Sequence, residues 1–148
     1  MPNEGLLGIG AHTDYGALTF LYTDEVPGLQ IAGIGHGAEG DPLALRAEGA
    51  TLGDENWLSI PPMRGGFIVN IGDMLEIWTN GFLPSTLHRV VNKSGRERFS
   101  LALFYEPNGD CACEVLPTCV NEERPSRQPK VQKYGDWLQA KFEATDGG

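Results

Sequence analysis

Three residues in two segments carry the clearest chemical signal in this chain. They are His12 and Asp14 in His12-Thr13-Asp14, and His88 in Thr86-Leu87-His88-Arg89-Val90-Val91. In an extended strand residues i and i+2 point to one face, so an H-x-D pair aims an imidazole and a carboxylate at a common point. A neighbouring strand that brings up a second imidazole completes two His and one carboxylate. Such a set occupies one face of an octahedral metal and leaves the opposite positions open, as in the facial triad of non-haem Fe(II) oxygenases. An H-x-D pair alone also fits zinc hydrolases, which draw on the same ligand types. A second pattern, Arg98-Phe99-Ser100, puts a guanidinium fork and a hydroxyl on one face of a strand, with Phe99, Leu101 and Leu103 on the other. That face suits a carboxylate held by charge-assisted hydrogen bonds worth about 1.5–3 kcal/mol each. The competing role for Arg98 is a surface ion pair worth about 0–1 kcal/mol. Spacing alone does not separate the two.

These side chains need strands to hold them, and the sequence supplies candidates. Short apolar or alternating segments recur between Gly, Pro and Asn-Gly turn signals: Leu6–Thr13, Leu18–Tyr22, Leu29–Ala32, Trp57–Ile60, Phe67–Ile71, Thr86–Val91 and Arg98–Tyr105. Regular short strands of this kind predict a β-sandwich or barrel. A length of 148 residues fits one domain, spanning 1–148, and 20 Gly with 10 Pro fits many turns. The Gly- and Ala-rich stretch from Gly33 to Gly53 has no period and reads as a long surface loop, with His36 solvated inside it. Near the end the period becomes helical at Val131, Tyr134, Trp137, Leu138 and Phe142, just after Pro129. This predicts a C-terminal helix over about 130–143 that lays an aromatic stripe on the sheet.

Composition narrows the partners. Eleven basic against twenty acidic residues give a net charge of −9. A nucleic-acid binder needs a basic face to displace counterions, and an anionic membrane surface attracts basic segments, so both partners are disfavoured. The longest apolar runs, Leu18–Tyr22 and Leu101–Tyr105, are too short to span a bilayer. Met1-Pro2-Asn3-Glu4-Gly5 lacks the basic start of a signal peptide, and a cytoplasmic location is the expectation. Cys111, Cys113 and Cys119 are too few for a disulfide framework and read as reduced thiols on a loop.

Six short motifs in one order go beyond spacing. His12-Thr13-Asp14-Tyr15-Gly16, Val26-Pro27-Gly28-Leu29-Gln30, Asn70-Ile71-Gly72-Asp73, Trp78-Thr79-Asn80-Gly81, Ser85-Thr86-Leu87-His88-Arg89-Val90-Val91 and Arg98-Phe99-Ser100 follow one another along the chain. From about Gly8 to Pro107 the sequence resembles the isopenicillin N synthase-like branch of the 2-oxoglutarate/Fe(II)-dependent dioxygenases. The resemblance implies a mainly β, double-stranded β-helix (jelly-roll) fold. It implies Fe(II) held by His12, Asp14 and His88, with Arg98 and Ser100 on the distal carboxylate of 2-oxoglutarate. With O2 as oxidant, such enzymes hydroxylate, desaturate or cyclise a small organic substrate and release succinate and CO2. No catalytic residue beyond the metal ligands is implied. Gly72 reads as a close backbone approach or a bend, Asn80-Gly81 as a turn, and Asp73 lies outside the triad pattern.

The chain departs from that family in what precedes the motifs. Only eleven residues stand before His12, whereas family members carry a long region there, with early strands, a co-substrate Tyr and much of the substrate wall. The expectation is a jelly roll lacking early strands, with exposed sheet edges that invite self-association. The alternative function is a non-catalytic jelly-roll binding or scaffold protein, or an inactive C-terminal fragment of such an oxygenase. A zinc hydrolase would leave Arg98 and Ser100 without a task.

Overall fold

The computed structural model describes residues 7–33, 56–127 and 132–146. The insert after Gly33, with His36, therefore lies outside the described residues, as do Pro129 and Val131. The chain divides into two compact units. The first is Met1–Thr13, Phe20–Asn70 and Thr86–Leu103; the second is Asp14–Thr19, Ile71–Ser85 and Phe104–Gly148.

Most of the first unit is antiparallel sheet. Strands β1 (Leu7–His12), β2 (Leu18–Thr23), β3 (Leu29–Ala32), β4 (Trp57–Ser59), β5 (Ile68–Ile71), β6 (His88–Val91) and β7 (Ser100–Tyr105) fall on the seven segments expected from sequence. Of these, β2, β5 and β7 each have residues in both units. One sheet runs β1-β6-β3-β4 and a second runs β5-β2-β7. In the first, His12 lies opposite His88, and Ile31 lies opposite His88 on the other side. Leu29 and Val90 face each other across β3 and β6, and both are buried with Val26. Apolar side chains at these positions thus set the register that brings the two imidazoles side by side. The alternation expected for β7 is not accompanied by burial of either face: every residue from Ser100 to Tyr105 is exposed, and the strand is a sheet edge. Arg98 precedes this strand instead of lying in it.

The second unit has its own core of Met74, Cys113, Tyr134 and Trp137, with Tyr15, Ile77 and Trp78 packed against it. Met74 belongs to a short helix, α1 (Asp73–Trp78), which the sequence pattern did not predict. Cys113 lies in β8 (Ala112–Cys113), paired with β9 (Gln132–Lys133). Cys113 is therefore a buried core residue in a strand, not a loop thiol, and burial pushes its thiol pKa up. The three cysteines are free. The C-terminal helix α2 (Tyr134–Asp146) starts later than expected. Its aromatic stripe meets α1 and β8 through Tyr134 and Trp137, and Tyr15 makes edge contacts with Trp137 and Phe142. The stripe thus closes the core of the second unit against α1 and strand β8. Among the described residues no helix is long and apolar enough to cross a membrane.

Candidate metal centre

His12 closes β1 and His88 opens β6, so pairing of the two strands places their rings with centroids 4.2 Å apart. Both rings are locked by the same local device. The Nδ1 atom of His12 lies 2.8 Å from the Gly10 carbonyl oxygen, and Nδ1 of His88 lies 2.8 Å from that of Thr86. A carbonyl oxygen only accepts, so in the neutral ring each Nδ1 carries the proton and Nε2 is the ligand nitrogen. The hydrogen bond behind each ring thus suits binding of a metal through Nε2.

Asp14 follows β1 by two residues and is 6% exposed; His88 is equally buried, and His12 is half-buried. His12, Asp14 and His88 each offer a ligand atom, and these atoms all lie within 4.8 Å of one another. Ligands bound at about 2.1 Å on one face of an octahedron stand about 3.0 Å apart, so the three side chains would draw together on binding an ion. Two imidazole nitrogens and one carboxylate oxygen match a divalent first-row metal and fall short of the four ligands of a closed structural zinc site. The donor set therefore fits Fe(II). Asp73 has other partners: it opens α1, accepts a hydrogen bond from Ser85 Oγ at 2.8 Å and pairs with Lys141 at 3.4 Å.

The main chain around Asp14 is fixed by α1. The N–H groups of Gly72, Asp73 and Met74 donate to the carbonyls of Ala17, Asp14 and Gly16 at 3.0, 2.8 and 3.0 Å. This close approach is what the Gly72 motif foreshadowed. A Cβ at Gly72 would fall inside contact distance of the Gly16 carbonyl oxygen and 3.0 Å from that of Asp14.

Arg98 and Ser100 also meet as their spacing predicted, with Arg98 Nη1 donating to Ser100 Oγ at 3.4 Å. The residue between them is gripped by Asp24, which sequence reasoning missed. Phe99 N–H donates to Asp24 Oδ2 at 2.7 Å, and Asp24 N–H donates to the Phe99 carbonyl at 3.0 Å. The backbone N–H groups of Phe99 and Val26, and then the charges of Arg98 and Arg96, hold the Asp24 carboxyl below its ordinary pKa. The only sequence signal for this residue was its place just ahead of Val26-Pro27-Gly28.

Comparison with known proteins points one way. The family model for the 2OG-Fe(II) oxygenase superfamily matches residues 2–107. Among curated proteins, kihadalactone A synthase of Citrus sinensis is 41% identical over 140 residues, covering 95% of this chain and 36% of that protein. A homoarginine-6-hydroxylase of Arabidopsis thaliana is 43% identical over 144 residues, covering 95% and 38%. Among solved structures, the dioxygenase for auxin oxidation in rice superposes with a TM-score of 0.73 at 30% identity, covering 94% of this chain and 41% of that one. The chain spans little more than a third of the length of the curated relatives it matches. The mainly antiparallel sheets with a C-terminal helix are those of the jelly-roll fold in these neighbours, as the sequence resemblance implied.

Proposed function

Because this chain belongs to the 2OG-Fe(II) oxygenase superfamily, we propose that it forms the iron- and co-substrate-binding part of an oxygenase acting on a small organic molecule. His12 Nε2, the Asp14 carboxylate and His88 Nε2 would hold Fe(II), and Arg98 with Ser100 would hold the distal carboxylate of 2-oxoglutarate. The single observation that carries this reading is the convergence of ligand atoms from His12, Asp14 and His88 within 4.8 Å of one another, two of the three residues being buried. When bound, Fe(II) supplies activation of O2 coupled to oxidative decarboxylation of 2-oxoglutarate, and substrate oxidation accompanies release of succinate and CO2.

The chain's own tasks are binding and orientation. The Gly10 and Thr86 carbonyls favour a ring proton on Nδ1 and orient both imidazoles to bind metal through Nε2. The Arg98 guanidinium offers several donors in a planar fork, which suits a carboxylate better than a point charge does. Ser100 Oγ, already within 3.4 Å of that fork, adds a hydroxyl beside it. The named activities of the relatives, a homoarginine hydroxylase and a kihadalactone synthase among them, support a small molecule as the substrate class.

The test is anaerobic titration of metal-free protein with Fe(II) and then 2-oxoglutarate, following the visible charge-transfer band of the chelate. A saturable band is expected. His12→Ala should abolish iron binding, and Arg98→Ala should weaken 2-oxoglutarate about 10–100-fold. Stoichiometric iron in His12→Ala would sink the triad assignment. Turnover is tested by substrate-independent conversion of 2-oxoglutarate to succinate, whose absence would leave a jelly roll that binds both ligands without catalysing.

A further inference from the structure

Resting on the co-substrate reading above, we propose that Asp24 and Gly28 are positioning residues for the Arg98–Ser100 carboxylate fork. The need for such residues follows from exposure. Arg98 and Ser100 are joined by Phe99, whose side chain is 68% exposed, so side-chain packing does not fix the segment. Its backbone is fixed instead. Asp24 satisfies both polar groups of Phe99, accepting from its N–H through Oδ2 at 2.7 Å and donating to its carbonyl at 3.0 Å. The other carboxylate oxygen accepts from Val26 N–H at 2.9 Å, which ties the turn leading to Gly28 into the same clamp.

Gly28 contributes the second half of the clamp by lacking a side chain. Its backbone is not in the left-handed region, so conformational freedom is not the reason for glycine here. Space is. A Cβ would lie 3.2 Å from Arg98 Cδ, 3.3 Å from Arg98 Nε and 3.2 Å from the Val91 carbonyl oxygen. The Val91 side is held, because Val91 N–H donates to the Gly28 carbonyl at 2.9 Å. Any side chain at Gly28 must therefore displace the stem of Arg98.

Charge makes the proposal testable in sign. Asp24 is an anion beside an anion-binding fork, so its field alone disfavours 2-oxoglutarate. Removing that charge should tighten binding if Asp24 acts only through its field, and weaken it if Asp24 acts by holding Phe99.

The experiment is the anaerobic Fe(II) and 2-oxoglutarate titration on Asp24→Asn, Gly28→Ala and Arg98→Ala, with iron affinity measured separately in each. Asp24→Asn and Gly28→Ala should each raise the 2-oxoglutarate Kd about tenfold while iron affinity stays within about twofold. Unchanged or tighter 2-oxoglutarate binding in Asp24→Asn, with Arg98→Ala weakened, overturns this inference alone. Unchanged binding in Arg98→Ala removes the co-substrate reading and this inference with it. Parallel loss of iron affinity in both positioning variants also overturns it, because the residues would then be supporting the whole sheet. Gly28→Ala keeps the test decisive should Asp24→Asn fold poorly, since it leaves every hydrogen bond of the clamp in place.

Discussion

Replacing Gly72 by Ala should damage both stability and iron binding, and the size of the effect follows from what surrounds it. Gly72 has extended backbone, φ −100° and ψ 174°, which any residue adopts, so conformational strain plays no part. The new Cβ would instead press on the Gly16 carbonyl oxygen, lying 2.9 Å from the Gly16 carbonyl carbon and 3.0 Å from the Asp14 oxygen. All are backbone atoms, so no side chain can rotate away, and the Asp14–Ala17 segment must withdraw. Withdrawal strains three hydrogen bonds, from Gly72, Asp73 and Met74 to Ala17, Asp14 and Gly16. At about 0.5–1.5 kcal/mol each, with overpacking adding about 1–3 kcal/mol, the variant should lose roughly 2.5–7.5 kcal/mol. That is a large share of the ~5–15 kcal/mol typical of a domain. Urea denaturation measures the loss. An iron titration without urea, at a temperature where circular dichroism shows native signal, measures the displacement of Asp14. Gly10→Ala is the control, since a Cβ there meets nothing within 4 Å although Gly10 lies two residues from His12. A Gly72→Ala protein within about 1 kcal/mol of the parent, with unchanged iron affinity, would refute the reasoning.

Three further outcomes are expected. Asn80 is 1% exposed with φ 54°, donates to the Cys119 and Pro125 carbonyls at 3.2 and 3.1 Å, and accepts from Arg127 N–H at 3.0 Å. Asn80→Ala should therefore lower the urea midpoint by an amount equal to about 3 kcal/mol or more, and Asn80→Gly should recover about 1 kcal/mol by relieving the positive φ. The Asp24 carboxyl is held below its ordinary value of 3.8, first by Phe99 N–H, then by Val26 N–H, with Arg98 and Arg96 as the nearby cations. A depressed native pKa contributes stability that is present above the unfolded value and lost as pH falls through the native one, so 2-oxoglutarate affinity and stability should decline below about pH 4. Asp24→Asn should flatten that limb in urea midpoints taken between about pH 6 and 3, and an identical acid slope would count against the clamp. Strand β7 is a sheet edge with Leu101 and Leu103 71% and 66% exposed, so sedimentation velocity should show association of the chain with a second copy. Leu101→Lys with Leu103→Lys should shift it to monomer, and a parent already monomeric at high concentration removes the expectation.

The parts of the site that were legible in sequence are those written in local spacing. The i, i+2 rule placed His12 with Asp14 and Arg98 with Ser100, and both pairs meet in the structure. The lock behind each imidazole is equally local, a carbonyl two residues earlier on the same segment. What escaped was held by distant backbone. Helix α1 has six residues and no side-chain cap, too short for periodicity to announce, and its first N–H groups are satisfied by Asp14, Gly16 and Ala17 far away in sequence. Cys113 read as a loop thiol because a two-residue strand leaves no pattern. Asp24 lies 75 positions from the residue it clamps, and nothing near it in sequence names that partner.

This division has a physical consequence. The His12 and His88 tautomers depend on strand conformation within three residues, whereas the Arg98 fork depends on a contact closed across the chain. The two histidines are also joined across the chain, over about as many residues as Asp24 and Phe99, but their strands are backed by the buried Leu29 and Val90 whereas Phe99 is exposed, so the clamp is the softer of the two. Mild denaturant should therefore weaken 2-oxoglutarate binding before it weakens binding of metal to the paired histidines. A titration series at rising sub-transition urea reads both affinities in one sample. Simultaneous loss would mean that the two halves of the centre share one cooperative unit, and that the Asp24 clamp is no weaker than the strands it joins.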